Sequence, residues 1–149
     1  MFDIRSFVGP VSDALRTMGG VKADVTAPAG PVPVPVFADV SSSLVLRGPR
    51  DVTMVLTMTE RAAICLAERV GIAAHEIDEA IVGDLAGELL NVICGSLQKV
   101  EKFAFAFGIP STATGKHHEV TPLRGGFGER LVSQSNDGDL ELFVVDGVA

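Results

Sequence analysis

The sequence predicts a single α/β domain of the α+β kind, in which a mostly antiparallel sheet packs against one long helix and shorter helices. Three observations carry this. A proline-free stretch from Glu76 to Val100, rich in Ile, Leu, Val and Ala, has helical periodicity. Several short segments rich in β-branched residues are bounded by Gly, Pro, Ser and Asn-Asp-Gly turn signals. Finally, 149 residues that are 47% hydrophobic and 21% charged suffice to bury one core without metal or disulfide staples, whereas two full domains would each be marginal. We therefore read residues 1–149 as one domain.

Apolar positions Phe2, Ile4, Phe7, Val8, Val11, Leu15 and Met18 recur at mostly three-to-four spacing and predict a first helix, which Pro10 starts or kinks. Residues 19–35 turn to Gly, Ala, Pro and Val and form an internal connector or edge strand; Pro31 to Pro35 should run extended. Three strands are expected next, Val34–Val40, Ser43–Arg47 and Val52–Met58, with turns at the serines and at residues 48–51. Thr59 is placed to cap a short helix that ends at Gly71. The long helix follows, with Lys99 in its C-terminal turn. Lys102–Phe107 alternates as a strand until Gly108-Ile109-Pro110 interrupts it. Gly128–Ser133 and Asp139–Val145 are two further strands joined by the turn Gln134–Gly138.

Composition excludes several function classes. A net charge of −7 opposes duplex DNA or anionic lipid as the main partner, because such binders gain affinity by neutralising phosphates. No wholly apolar run approaches the ~20 residues that span a bilayer. Cys65 and Cys94 lie 29 positions apart in apolar segments, outside any metal-ligand spacing, and read as core filling. The start, Met1 to Arg5, lacks a basic region followed by an apolar one, which predicts a cytoplasmic protein.

The long helix is the informative element. At 100° per residue with Asp84 at zero, Glu88 falls at about 40°, Asn91 at about −20°, Gly95 at about 20° and Gln98 at about −40°. Apolar Ile81, Leu85, Leu89, Leu90, Val92, Ile93, Cys94 and Leu97 fill much of the remaining circumference. A merely solvated face would read the same way, but it would favour long charged residues. Asn91 and Gly95 instead weaken the helix by up to about 1 kcal/mol relative to Ala. An Asn amide can hold a water, and a carboxylate three residues earlier can pair with a cation on a docked partner.

Asp84-Leu85-Ala86-Gly87-Glu88-Leu89-Leu90-Asn91, followed by Val92-Ile93-Cys94-Gly95, resembles the Asp/Ser-xxx-Glu-xx-Asn signature of the CheC/CheX/FliY class of chemotaxis phosphatases. Phe7–Met18, Val45–Leu56 and Gly108–Gly115 support the likeness in order along most of the chain, and a single copy of the motif is closest to CheX-like domains. The resemblance implies hydrolysis of the aspartyl phosphate on a CheY-like response regulator, with Mg2+ and a lysine supplied by that partner and no cofactor or metal bound by this chain. On that reading Glu88 anchors the partner lysine and Asn91 orients the attacking water. Asp84 and Gln98 dock the partner, and Gly95, Ser111 and Thr112 form the surround. A homodimer through the neighbouring sheet is a further association it allows. One departure is that only eighteen residues separate Asn91 from Pro110, fewer than the family pattern generally places there.

Other motifs point elsewhere less strongly. His117-His118-Glu119 carries metal-ligand chemistry, but adjacent strand residues point to opposite faces. Residues 75–79 offer acids to the start of the long helix, residues 125–128 lack the spacing of a phosphate loop, and Phe103, Phe105 and Phe107 alternate on one strand face that reads as core, or else as a dimer surface of the sheet. Two other functions stay open at this level: a noncatalytic binding module, and a small-molecule sensor with a pocket between sheet and long helix.

Overall fold

A computed structural model of the chain describes residues 3–29, 36–48, 51–100, 106–120 and 128–146. In chain order they form α1 (Val8–Gly19), β1 (Asp24–Thr26), β2 (Val36–Arg47), β3 (Val52–Met58), α2 (Glu60–Arg69), α3 (Glu79–Val100), β4 (Ala106–Phe107), β5 (Ser111–Val120), β6 (Gly128–Gln134) and β7 (Leu140–Asp146). One-turn 3-10 helices precede α1 at Ile4–Phe7 and α3 at Ala74–Glu76. The strands make one seven-stranded sheet in the order β1-β6-β7-β3-β2, with β4 and β5 both on the far side of β2, and every pairing is antiparallel.

The expected mostly antiparallel sheet under a long helix is the architecture found. Phe7, Val11 and Leu15 from the N-terminal segment, Leu66 from α2, and Leu89, Leu90, Ile93 and Leu97 from α3 share one buried cluster with Leu44, Leu46, Met54, Leu56 and Leu142 of the sheet. Val55, Phe143 and Val145 alternate with those strand residues and join Val36 in a smaller cluster on the opposite face, so β3 is buried along its whole length. By length and mean hydropathy, 1.5, Glu79–Lys99 could cross a bilayer, but 56% of that window is buried inside this domain. Cys94 is among those buried residues, as expected, and Cys65 is half-buried.

Helix ends follow the predicted chemistry. Pro10 stands in the first turn of α1, where its missing N–H costs nothing. Thr59 Oγ1 accepts from the Ala62 N–H at 3.1 Å, and Gly71 leaves α2 with φ 95°. The long helix starts three residues later than expected, because Asp78 Oδ1 accepts the Ile81 N–H at 2.9 Å and caps it there. The β6–β7 turn docks on α2: Arg69 pairs with Asp137, Arg61 donates to the Asn136 carbonyl, and Gly138, at φ 119°, lies where a Cβ would stand 3.0 Å from Ala62 N.

Two sequence expectations are corrected and a third is sharpened. The serines at 41–43 do not turn the chain; they lie inside one continuous strand, with Ser41 and Ser42 buried and paired to Thr57 and Leu56. Within 19–35, the expected connector or edge strand, Asp24–Thr26 forms a short strand at the sheet edge. Ser111–Val120, given no strand of its own in the reading above, pairs with most of β2. The extended Pro31–Pro35 segment, the glycines at 125–127, Phe103 and Phe105 lie outside the described residues; Phe107 pairs with Leu46.

A single carboxylate ties β2, α2 and β5 together. Asp39 accepts the first N–H of α2, from Glu60, through Oδ2 at 2.8 Å, and the His117 N–H through Oδ1 at 2.8 Å, at a bulge where His117 has φ 50°. The His117 N–H first, and the Glu60 N–H second, hold the Asp39 carboxyl below the ordinary Asp value. Asp39→Ala should lower stability by about 1 kcal/mol at neutral pH, read as a lower urea midpoint. Because the folded-state value is depressed, that contribution is complete above the unfolded pKa of about 3.9 and is lost as pH falls through the folded value. The gap between parent and variant should therefore close in acid, and a gap that stayed constant to pH 2 would contradict the clamp.

Candidate functional site

Helix α3 exposes only a strip. Leu85, Ala86, Leu89, Leu90, Ile93, Cys94 and Leu97 are buried, whereas Asp84, Glu88, Asn91 and Gln98 are exposed and Gly95 is half-buried. At 1.5 Å per residue, Asp84 to Asn91 spans about 10 Å of the helix. The structure thus brings Asp84, Glu88, Asn91, Gly95 and Gln98 onto one solvent-facing strip, as the periodicity predicts.

The flank of the strip is set by glycine. A Cβ on Gly87 would lie 3.3 Å from Thr112 Cγ2, 3.7 Å from Pro110 Cβ and 3.9 Å from the buried Ser42 hydroxyl, and one on Gly83 would meet Thr112 and Thr114 at 3.5 Å. At Gly83 that is ordinary contact, whereas the tighter approach at Gly87 is eased by the missing Cβ, so strand β5 lies close beneath the helix there. Thr112 therefore lies against the flank of the helix that carries the strip, while Ser111 is exposed on the same strand and pairs with Ser43. Sequence reasoning missed the close approach at Gly87, which depends on a strand distant in sequence.

Gly95 has a different role. A Cβ there would meet nothing within 4 Å, so packing does not require glycine. Among the described residues, neither Asp84 nor Glu88 is paired with a cation of this chain and Asn91 makes no hydrogen bond. Asp84 and Glu88 are like charges four apart on one helix face, which costs a few tenths of a kcal/mol. The strip is built against local helix stability at several positions together.

Other candidates separate from it. His118 Nδ1 bonds the Gly115 carbonyl at 2.7 Å and Nε2 bonds Ser41 Oγ at 2.8 Å, while the His117 ring stacks on Phe37, so the histidine pair braces the β5 bulge. Among the described residues no group of three His, Cys, Asp or Glu side chains is placed to hold a metal ion. A cavity of about 380 Å³ opens between the starts of α2 and α3, with Ile64, Ile77 and Val82 as apolar lining and Asp39, Glu60, Asp78 and Glu79 around it; it contains none of the strip residues. Burial pushes the Cys94 thiol up to about 12, which removes it as a thiolate nucleophile.

Comparison with known proteins gives a consistent result. A family profile described as "Chemotaxis phosphatase CheX" matches residues 40–127. Comparison with curated protein sequences returns no match. Among solved structures, the chain is similar to the chemotaxis protein CheX from Vibrio vulnificus, with a TM-score of 0.84 at 19% identity, covering 97% of this chain and 98% of that one. A putative chemotaxis protein from Desulfovibrio vulgaris Hildenborough gives 0.82 at 20% identity, covering 96% and 95%. CheX in a CheX–CheY–BeF3–Mg2+ complex from Borrelia burgdorferi gives 0.76 at 19%, covering 98% and 99%. At these identities the structures establish a shared fold.

If the strip is kept for something other than folding, its replacement should not harm the fold. Gly95→Ala should raise stability by up to about 1 kcal/mol, and Asn91→Ala by a few tenths, through helix propensity alone. Urea denaturation checks both; a loss above about 1 kcal/mol in either would show that the residue holds the structure together.

Proposed function

The chain belongs to the CheX family of chemotaxis phosphatases, and from that premise we propose that its α3 strip accelerates hydrolysis of the aspartyl phosphate of a CheY-like response regulator. The observation that supports this most is the joint exposure of Glu88 and Asn91 on a rigid, deeply packed helix, where neither has a side-chain partner among the described residues. A solved relative of the same fold is a CheX in complex with CheY, BeF3 and Mg2+, which supports the choice of partner.

The residues divide the work by their chemistry. The Asn91 carboxamide oxygen accepts a hydrogen bond from water and its N–H group can donate to an oxyanion, so it can hold a water in line with phosphorus. Water then attacks phosphorus, the bond to the aspartyl oxygen breaks, inorganic phosphate leaves carrying the water's oxygen and both its protons, and the regulator's carboxylate is restored. Such a reaction needs alignment and charge stabilisation more than covalent help. The Mg2+ that neutralises phosphoryl charge belongs to the regulator's own site. Glu88 pairs with a regulator lysine through a charge-assisted bond, and Asp84 and Gln98 extend the docking surface along the helix. Gly95, whose side has open space, leaves room for the partner's backbone.

The test is decay of phosphorylated CheY-like regulators from the same genome, in Mg2+, with and without this protein. Acceleration is expected with at least one regulator. Asn91→Ala should reduce the saturated rate by about 10²-fold, the scale of lost alignment, with the fold intact. Glu88→Ala should mainly raise the protein concentration needed for half-maximal acceleration. No acceleration with any regulator, or full activity in Asn91→Ala, would overturn the assignment.

A further inference from the structure

We propose that the cavity between the starts of α2 and α3 binds a small organic amine, a ligand with an apolar body and a protonated nitrogen. The cavity encloses about 380 Å³, within the range of small-molecule pockets. Its floor is apolar: Val40 of β2, Ile64 of α2, Val82 of α3, and Ile77 just before α3. Val40 and Val82 are buried, whereas Ile64 and Ile77 are only half-buried where they line it. Thr114, Gly115 and Lys116 of β5 supply a further wall. None of the strip residues takes part, so the proposal stands independently of the phosphatase reading.

The charge of the lining selects the ligand. Four carboxylates, Asp39, Glu60, Asp78 and Glu79, stand against one cation, Lys116. Two of these acids are engaged with the backbone: Asp39 accepts the Glu60 and His117 N–H groups, and Asp78 accepts the Ile81 N–H. Glu60 and Glu79 are each the first residue of their helix, and their carboxylates have no partner among the described residues. Acids in a first helical turn are ordinary, because they offset the helix dipole. That role requires neither a cavity nor an apolar floor, yet here two such acids from different helices line the same one. An apolar body seats against Ile64 and Ile77, while its ammonium group donates charge-assisted bonds to Glu60 and Glu79. A neutral molecule of the same shape gains only the floor, and an anion is repelled.

The test titrates the protein with three probes that share one apolar body, phenethylamine, phenethyl alcohol and hydrocinnamate, followed by backbone amide NMR. The amine should bind in the millimolar range, as expected for so small a probe, and should shift the signals of Glu60, Glu79, Thr114 and Gly115 before those of the strip. The alcohol should bind about fivefold more weakly, and the anion more weakly still. Combining Glu60→Gln with Glu79→Gln should bring the amine down to the affinity of the alcohol and leave the alcohol unchanged. If that double variant does not fold, salt decides on the parent: the amine should weaken from low to high salt while the alcohol does not. The site is overturned if no probe binds, if the alcohol or the anion binds as tightly as the amine, or if the shifts fall on another surface. An amine affinity untouched by the double substitution, or by salt where that variant does not fold, overturns it equally.

Discussion

Almost everything in this molecule depends on how completely α3 is enclosed. Leu89, Leu90, Ile93, Cys94 and Leu97 have no measurable exposure, and β5 lies against the flank of the same helix, closest at Gly87. A helix packed on so many sides cannot rotate or slide without opening its core, because interiors are close-packed and changes of a single methylene are felt. The strip left outside is thereby fixed in orientation to the rest of the fold. A water-orienting amide gains its effect from such fixity.

The strip also shows where the helix departs from what stability alone would select. Asp84 and Glu88, without a cation partner among the described residues, repel across one turn, Asn91 and Gly95 are poor helix formers, and Gly95 has room for a methyl group. The enclosed face tolerates this: each buried leucine contributes roughly 1.5–3 kcal/mol, against fractions of a kcal/mol lost at each strip position. Core and strip thus divide the helix between folding and recognition. β5 joins the two, since Thr112 lies against the helix flank at Gly87 and the bulge near His117 supplies the N–H that Asp39 accepts.

Most of this was legible in the sequence where a local rule is strong. The long helix, its exposed strip, the Thr59 cap and the Gly138 turn all follow from periodicity or from one side chain meeting one backbone group. The resemblance added roles for Glu88 and Asn91 that geometry alone left open. What escaped reading depends on contacts distant in sequence. Ser41 to Ser43 look like a turn, yet the sheet on both sides holds them extended, with Ser42 small enough to sit under Gly87. β5 is rich in Thr, Gly and His and lacks an apolar alternation, because it is an edge strand whose pairing with β2 replaces burial as its support. Asp39 reads as an ordinary strand acid until His117 and Glu60, far along the chain, bring their N–H groups to it.

The central claim is that the Asn91 side chain enters the phosphoryl site of a regulator. The most direct measurement follows the Asn91 side-chain amide resonance by NMR as a CheY-like regulator activated with beryllofluoride and Mg2+ is added. The account predicts that this resonance shifts and its exchange with solvent slows, together with the backbone signals of Asp84 and Glu88. An Asn91 resonance that stays unchanged while the regulator demonstrably binds would contradict it.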